Sequence, residues 1–421
     1  MKKRMPKFEE SIYFLGKLSQ SVFGFASIGL LSAILSVSQL SLYVLLLSIL
    51  LFSKYLSQAG LEFQMISSIS GEKEPDKIAQ RVGGLLFVVT AFSLIISTAL
   101  YLFLKSEWFA RIFGFEIDYL TALSTIGIIT FGNIQMVISE RFRAERRFGL
   151  AVMTSSNNHG LYVCILWVMA TVLPVEIELH SVFLALFVVH AVAASSLLAI
   201  SRRKISFNRL KGQISRLAKS SKDVILAQQM LSLSANIDIW IAGMIFKETD
   251  FLLFAIGKKI VQLLNTISQA MANLVAPGIV ILSRIGEMDR CRRILQRYGR
   301  TNFTLCALAG VLFILFWPFI SKTMVGIESN DYLFISVFFM GAMVNFYFLF
   351  TGLFLILMME SVFVAKVGAI TVAIFAVNMA VFTHWLGPMG APIALLIHFI
   401  LFNLILYRYI YKNYDLQMRL T

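Results

Sequence analysis

Residues 201–222 read SRRKISFNRLKGQISRLAKSSK. Eight of them are Lys or Arg (Arg202, Arg203, Lys204, Arg209, Lys211, Arg216, Lys219 and Lys222), none is acidic, and long apolar runs lie on both sides. Across the 421 residues 58% are hydrophobic and 14% are charged, against roughly 25% charged in an ordinary soluble domain. The mean hydropathy is +0.80. A soluble protein of this length cannot hide so much apolar surface, so lipid is the expected solvent. That excludes a cytosolic enzyme, a secreted disulfide scaffold and a disordered chain.

On both sides of the basic segment lie apolar stretches long enough to span a membrane. A bilayer core of ~30 Å needs about 20 mostly apolar residues per helix. Twelve stretches qualify, near 11–36, 41–67, 82–104, 118–139, 149–173, 180–200, 222–245, 250–282, 301–321, 331–357, 361–383 and 389–411. Six precede the basic segment and six follow it. The expected fold is therefore an all-α integral membrane protein of about twelve transmembrane helices. It has an N-terminal six-helix lobe (1–200), a basic cytoplasmic linker (201–221) and a C-terminal six-helix lobe (222–421). The linker reads as an amphipathic basic helix on the inner membrane surface. It serves there as a topology determinant or as a site for anionic lipid. The opening MKKRMPKFEE lacks a short apolar core and cleavage site, so it reads as a retained tail.

The basic residues set the orientation. With the N-terminus in the cytoplasm, 29 of the 37 Lys and Arg lie in the tails and inner loops or at the span ends bordering them. Lys105, Arg111, Lys247 and Lys322 lie outside, and Lys17, Lys54, Lys258 and Lys259 fall within spans. This asymmetry puts both termini inside. It also accounts for the formal net charge of +14 without nucleic acid as a partner. Cys164, Cys291 and Cys306 have neither metal-ligand spacing nor the makings of a disulfide framework. His159, His190 and His398 read as packed side chains. Trp108, Trp167, Trp317 and Trp385 near outer span ends read as an aromatic belt.

An internal repeat accompanies the six-plus-six count. At an offset of 211 residues LSQA (56–59) falls on ISQA (267–270), Tyr43 on Phe254 and Ile49 on Ile260. Lys54, Gln58 and Glu62 stand at i, i+4 and i+8 on one helix face, and Asn265, Gln269 and Asn273 stand at the same offset. Two related bundles around a central cavity would explain these matching polar stripes.

Charges at mid-membrane cost ~2.5–3.5 kcal/mol even on lenient scales, so such residues face protein or water. Lys54 lies ~20 Å down the second span and is the hardest to dismiss. Lys17 fits a snorkelling side chain as well as a functional one. Lys258 and Lys259 point about 100° apart, so at most one faces a cavity directly. Asp238, within NIDIWIAG, and Glu62 are candidate counter-charges or proton sites. The Asn265–Gln269–Asn273 stripe is either a sugar site or inter-helix glue. Pro277 and Gly278 are a candidate hinge in the eighth span.

Three stretches carry a family resemblance: YLSQAGLEFQMISSISGEKEPDKIAQRVG (55–83), NIDIWIAG followed by DFLLFAIGKK (236–243 and 250–259), and APGIVILSRI (276–285). With the layout of spans, they make the chain resemble the polysaccharide-exporting branch of the MOP flippase superfamily, the Wzx-type O-antigen and capsule repeat-unit translocases. The resemblance implies a MATE-like fold. It also implies flipping of an undecaprenyl-pyrophosphate-linked oligosaccharide across the bacterial inner membrane by alternating access. Lys17, Lys54 and Lys258 or Lys259 would then meet the pyrophosphate, and Gln58, Asn265, Gln269 and Asn273 the sugar. Asp238 or Glu62 would serve coupling to a proton or sodium gradient. No cofactor or metal is expected. The expected partners are the polyprenyl-linked glycan, membrane lipids and the polysaccharide polymerase machinery. The alternative is a MATE-like cation-coupled antiporter of small molecules. A membrane glycosyltransferase or polymerase ranks lower. Its chemistry calls for a long outer loop, and the longest here, KSEWFARIFGFEID (105–118), has 14 residues.

Overall fold

The computed structural model describes residues 7–58, 69, 74–145, 147–172, 177–201, 205–207, 226, 229–230, 232–284, 286–326, 329, 331–357 and 360–414. Glu62 and most of the basic linker lie outside the described residues. Among the described residues the regular structure is helical, without a strand. The chain divides into two compact units, Met1–Gln229 and Met230–Thr421.

The first unit contains α1 (Lys7–Ile34), α2 (Val37–Gln58), α3 (Pro75–Leu104), α4 (Glu107–Phe113), α5 (Tyr119–Ala144), α6 (Phe148–Val172) and α7 (Leu179–Ser201). The second contains α8 (Ile237–Ile245), α9 (Glu248–Arg284), α10 (Met288–Leu315), α11 (Trp317–Val325), α12 (Tyr332–Leu357), α13 (Ser361–Leu386) and α14 (Gly390–Tyr414). Eight described segments are long and apolar enough to cross a membrane, and one of them, Val362–Asn413, holds both α13 and α14. Three shorter apolar helices, Asn158–Val172, Ser232–Ile245 and Tyr332–Phe348, supply the rest. Long apolar helices are what lipid demands, because every backbone polar group must be satisfied within its own segment.

The two units share one internal plan. In the first, α1 packs on α6, α2 on α3 and α5, α3 on α5, α5 on α6 and α7, and α6 on α7. In the second, α8 packs on α13, α9 on α10 and α12, α10 on α12, α12 on α13 and α14, and α13 on α14. Helix for helix the pairings correspond, as a parallel repeat requires. Both units also place a short helix after their third helix. Helix α4 ends at Gly114 (φ 73°) and α11 at Gly326 (φ 77°). An aspartate then caps the next long helix: Asp118 accepts from Thr121 N at 2.7 Å, and Asp331 accepts from Phe334 N at 2.9 Å.

Local details depart from the sequence reading. The segment 105–118, expected as an outer loop, contains α4, with Ser106 as its cap. Helix α2 begins at Val37, so Lys54 lies ~25 Å along it, nearer its C-terminal end. The seventh span is interrupted by a turn at Ala235–Asn236. Helix α9 continues through Pro277 and Gly278, so the expected hinge is not a break. Trp108, Trp167 and Trp385 are exposed, but Trp317 is buried against Phe334 and does not join a belt.

The start of the linker is anchored to the first unit. Ser206 N donates to Ala79 O on α3 at 3.0 Å. A Cβ on Gly83 would stand 2.0 Å from Ser206 O, so that close backbone approach requires glycine. Beside it, Ile205 packs on a core that includes Val82, Leu86, Ile138 and Ala194.

Candidate functional site

In the first unit the lysines found in the sequence occupy neighbouring helices. Lys17 on α1 donates to Gln20 Oε1 at 3.1 Å. Its charge is close enough to act on that of Lys54 on α2. Lys54 is half-buried, and among the described residues it forms no ion pair with a carboxylate. Its ammonium rests over Gly132 of α5, where a Cβ would be only 3.2 Å from Nζ and 3.6 Å from His190 Cε1. Glycine at 132 therefore shapes the seat of this cation.

A buried amide network surrounds that seat. Gln58 Nε2 donates to Asn133 Oδ1 at 2.9 Å, and Asn133 Nδ2 donates to Ser57 Oγ at 2.6 Å and Ser93 Oγ at 2.8 Å. One residue pair further along α5, Gln135 Nε2 donates to Thr154 O and Gln135 Oε1 accepts from Asn158 Nδ2, both at 2.5 Å. His190 Nδ1 lies 3.3 Å from both Gln135 Oε1 and Asn158 Nδ2. The Gln58 side-chain nitrogen is thus spent on packing α2 against α5, while its Oε1 is buried without a partner among the described residues. No local pattern marks Asn133, Gln135 or Asn158, because their partners are 19 to 76 residues away.

In the second unit the two adjacent lysines separate into different environments. Lys258 Nζ bonds the buried Asp238 carboxylate and donates to Ala235 O at 2.5 Å. This ammonium answers two needs created by the broken seventh span, a carbonyl that has lost its helical partner and a buried anion. Asn236 Nδ2 donates to Ser232 O at 2.8 Å, and Ser234 Oγ lies 2.7 Å from His398 Nε2, within the same polar knot. Lys259, half-buried, has no ion pair among the described residues. Asn265 is half-buried, with its Oδ1 buried and lacking a partner, and Gln269 is exposed. The side chain of Asn273, like Glu62, falls outside the described ones. No group of metal-ligating side chains is found among the described residues.

The comparisons concern the fold. No family model matches the chain. No curated protein matches it either. Solved structures do. The chain is similar to the MATE transporter VcmN of Vibrio cholerae, solved as an Asp-to-Asn mutant, with a TM-score of 0.74, 14% identity, and 97% and 96% of the two chains covered. It is similar to an inward-facing multidrug resistance MATE transporter of the MOP superfamily (TM-score 0.72, 14% identity, 94% and 97% covered). A third similar structure is a MOP superfamily transporter from Pyrococcus furiosus, described as having a binding pocket of reverse polarity that suggests a different function. There the TM-score is 0.72 at 11% identity, with 95% and 93% covered. The chain has the multi-span membrane fold of the MATE transporters of the MOP superfamily.

Proposed function

We propose that the chain is a membrane transporter of an anionic substrate. The substrate we assign is an undecaprenyl-pyrophosphate-linked oligosaccharide repeat unit of O-antigen, capsule or exopolysaccharide. It is flipped to the outer leaflet of the bacterial inner membrane by alternating access of the two halves. The observation that carries this reading is Lys54, a cation within a span with Lys17 nearby and no carboxylate paired to it among the described residues. Such a charge is costly to keep in lipid, and a residue of this kind is a binding-site candidate by default. In this reading Lys17 and Lys54 of the first unit, and Lys259 of the second, are the cations available to a pyrophosphate, the polyprenyl tail stays in lipid, and hydroxyl-rich sugar meets side-chain amides. The driving gradient is of protons or sodium ions, with no cofactor.

The likeness to multidrug MATE transporters supports a second reading, cation-coupled antiport of small molecules, and as a fold comparison it favours that one. A cationic drug calls for a carboxylate at membrane depth. The buried Asp238 is already bonded to Lys258, which favours an anionic cargo. The Pyrococcus furiosus transporter is a solved instance of this fold described with a binding pocket of reverse polarity.

The test is extraction of lipid-linked oligosaccharides from the inner membrane of a strain lacking the protein. Undecaprenyl-linked repeat units should accumulate, and a Lys54→Ala variant that still inserts should fail to clear them. No accumulation with unchanged surface glycan would overturn the flippase reading. A gain in drug susceptibility in the same strain would then favour the antiporter.

A further inference from the structure

The cation of the second unit stands at the head of a polar stripe that a spacing of four does not reveal. Lys259, Gln262, Thr266, Gln269 and Asn273 follow one another at i, i+3, i+7, i+10 and i+14 on α9. At 100° per residue these positions fall within about 80° of arc and extend along ~21 Å of helix. Lys259, Gln262 and Thr266 are half-buried and Gln269 is exposed, whereas Ile256, Ile260, Leu264, Ser268 and Ala272 of the same helix are buried. Neither Gln262 nor Gln269 spends its side-chain amide on another described residue. Thr266 Oγ1 makes only the local bond to Gln262 O at 3.0 Å.

Inter-helix glue would show hydrogen bonds across helices, as Gln58 and Asn133 do in the first unit. A lipid-facing stripe would leave an ammonium and two primary amides in hydrocarbon, which is too costly. The remaining partner is polar and enters from outside the bundle. We infer that this stripe is a binding track for an anionic glycan, with Lys259 at its phosphate and Gln262, Thr266 and Gln269 at sugar hydroxyls. Lys258, spent on Asp238 and Ala235 O, takes no part. The inference rests on the anionic-cargo reading above and extends it to residues that set specificity for the sugar.

The test is binding to the full-length protein in detergent, followed by native mass spectrometry. Two probes are used, citronellyl pyrophosphate and the same compound carrying one N-acetylglucosamine. Replacing both amides, Gln262→Leu with Gln269→Leu, should weaken the sugar-bearing probe by about tenfold and leave the sugar-free one unchanged, since each lost hydrogen bond is worth a few-fold. Lys259→Met should weaken both probes. Full binding of the sugar-bearing probe by the double variant, or equal losses for both probes, would overturn the track while leaving the cargo reading intact. A wild-type protein that binds neither probe would overturn both. Because both glutamines are replaced on an accessible face, the double variant is expected to fold, and its melting temperature is measured alongside.

Discussion

Lys258 and Asp238 are bonded to one another across a break in the seventh span, and the same ammonium holds the Ala235 carbonyl at that break. Both side chains are buried. Removing one partner strands the other, whereas removing both leaves only a packing change. Lys258→Met should therefore destabilise the protein by about 3–5 kcal/mol, and adding Asp238→Asn should recover much of that loss. Unfolding in detergent for the two single variants and the double gives the coupling directly. Additive losses would show that the pair is not what holds the break.

Asn133 is the centre of the first unit's amide network, bonded to Gln58, Ser57 and Ser93 at once. Cross-helix hydrogen bonds in membranes average well below 2 kcal/mol each. Asn133→Ala removes three and leaves buried groups without partners, so a loss of about 2 kcal/mol is expected. Ser93→Ala removes one and should cost less than half as much. Thermal melts of the two variants in one detergent check the ratio, and equal costs would count against Asn133 as the hub.

Much of the fold was legible in the sequence because lipid imposes a coarse rule on it. A run of about 20 apolar residues has few alternatives to a spanning helix. Span boundaries were softer, since residues such as Val37 and Glu248 at helix ends carry little of that signal. The repeat showed only weakly at an offset of 211 residues, but it is plain in the corresponding helix pairings and in the Gly114 and Gly326 stops. The sites were harder to read. Nothing local links Lys258 to Asp238 twenty residues earlier, because their meeting depends on how α8 and α9 pack. Trp317 looked interfacial by position alone, yet its ring is fully buried. The stripe headed by Lys259 was present in the sequence, but a four-residue period hides it.

Gly83 permits the linker to lie against α3. Alanine there would put a Cβ 2.0 Å from Ser206 O and 2.7 Å from Ser206 C, both backbone atoms that cannot swing aside. Gly83→Ala should therefore break the Ser206 N to Ala79 O hydrogen bond and release the start of the linker. Arg202, Arg203 and Lys204 lie just before Ser206, so limited trypsin digestion should cut there faster in the variant, while the bundle itself stays resistant. Unchanged cleavage would mean that the contact at Gly83 does not hold the linker.

Gly132 and Lys54 make the sharpest functional prediction, because the seat of the cation is defined by an absent side chain. A Cβ at 132 would lie 3.2 Å from Lys54 Nζ and 3.4 Å from its Cε. Gly132→Ala should be tolerated, because the end of a lysine can shift by a few tenths of an ångström and alanine favours the helix by up to about 1 kcal/mol. Gly132→Leu fills the seat and should lower clearance of the accumulated lipid-linked oligosaccharide as far as Lys54→Ala does, at equal membrane insertion. The double variant separates this from a general packing defect. If Gly132 acts through Lys54, Gly132→Leu with Lys54→Ala should be no worse than either alone, since two changes to one interaction do not add. Losses that multiply in the double variant would mean that position 132 matters for some reason other than the lysine it accommodates.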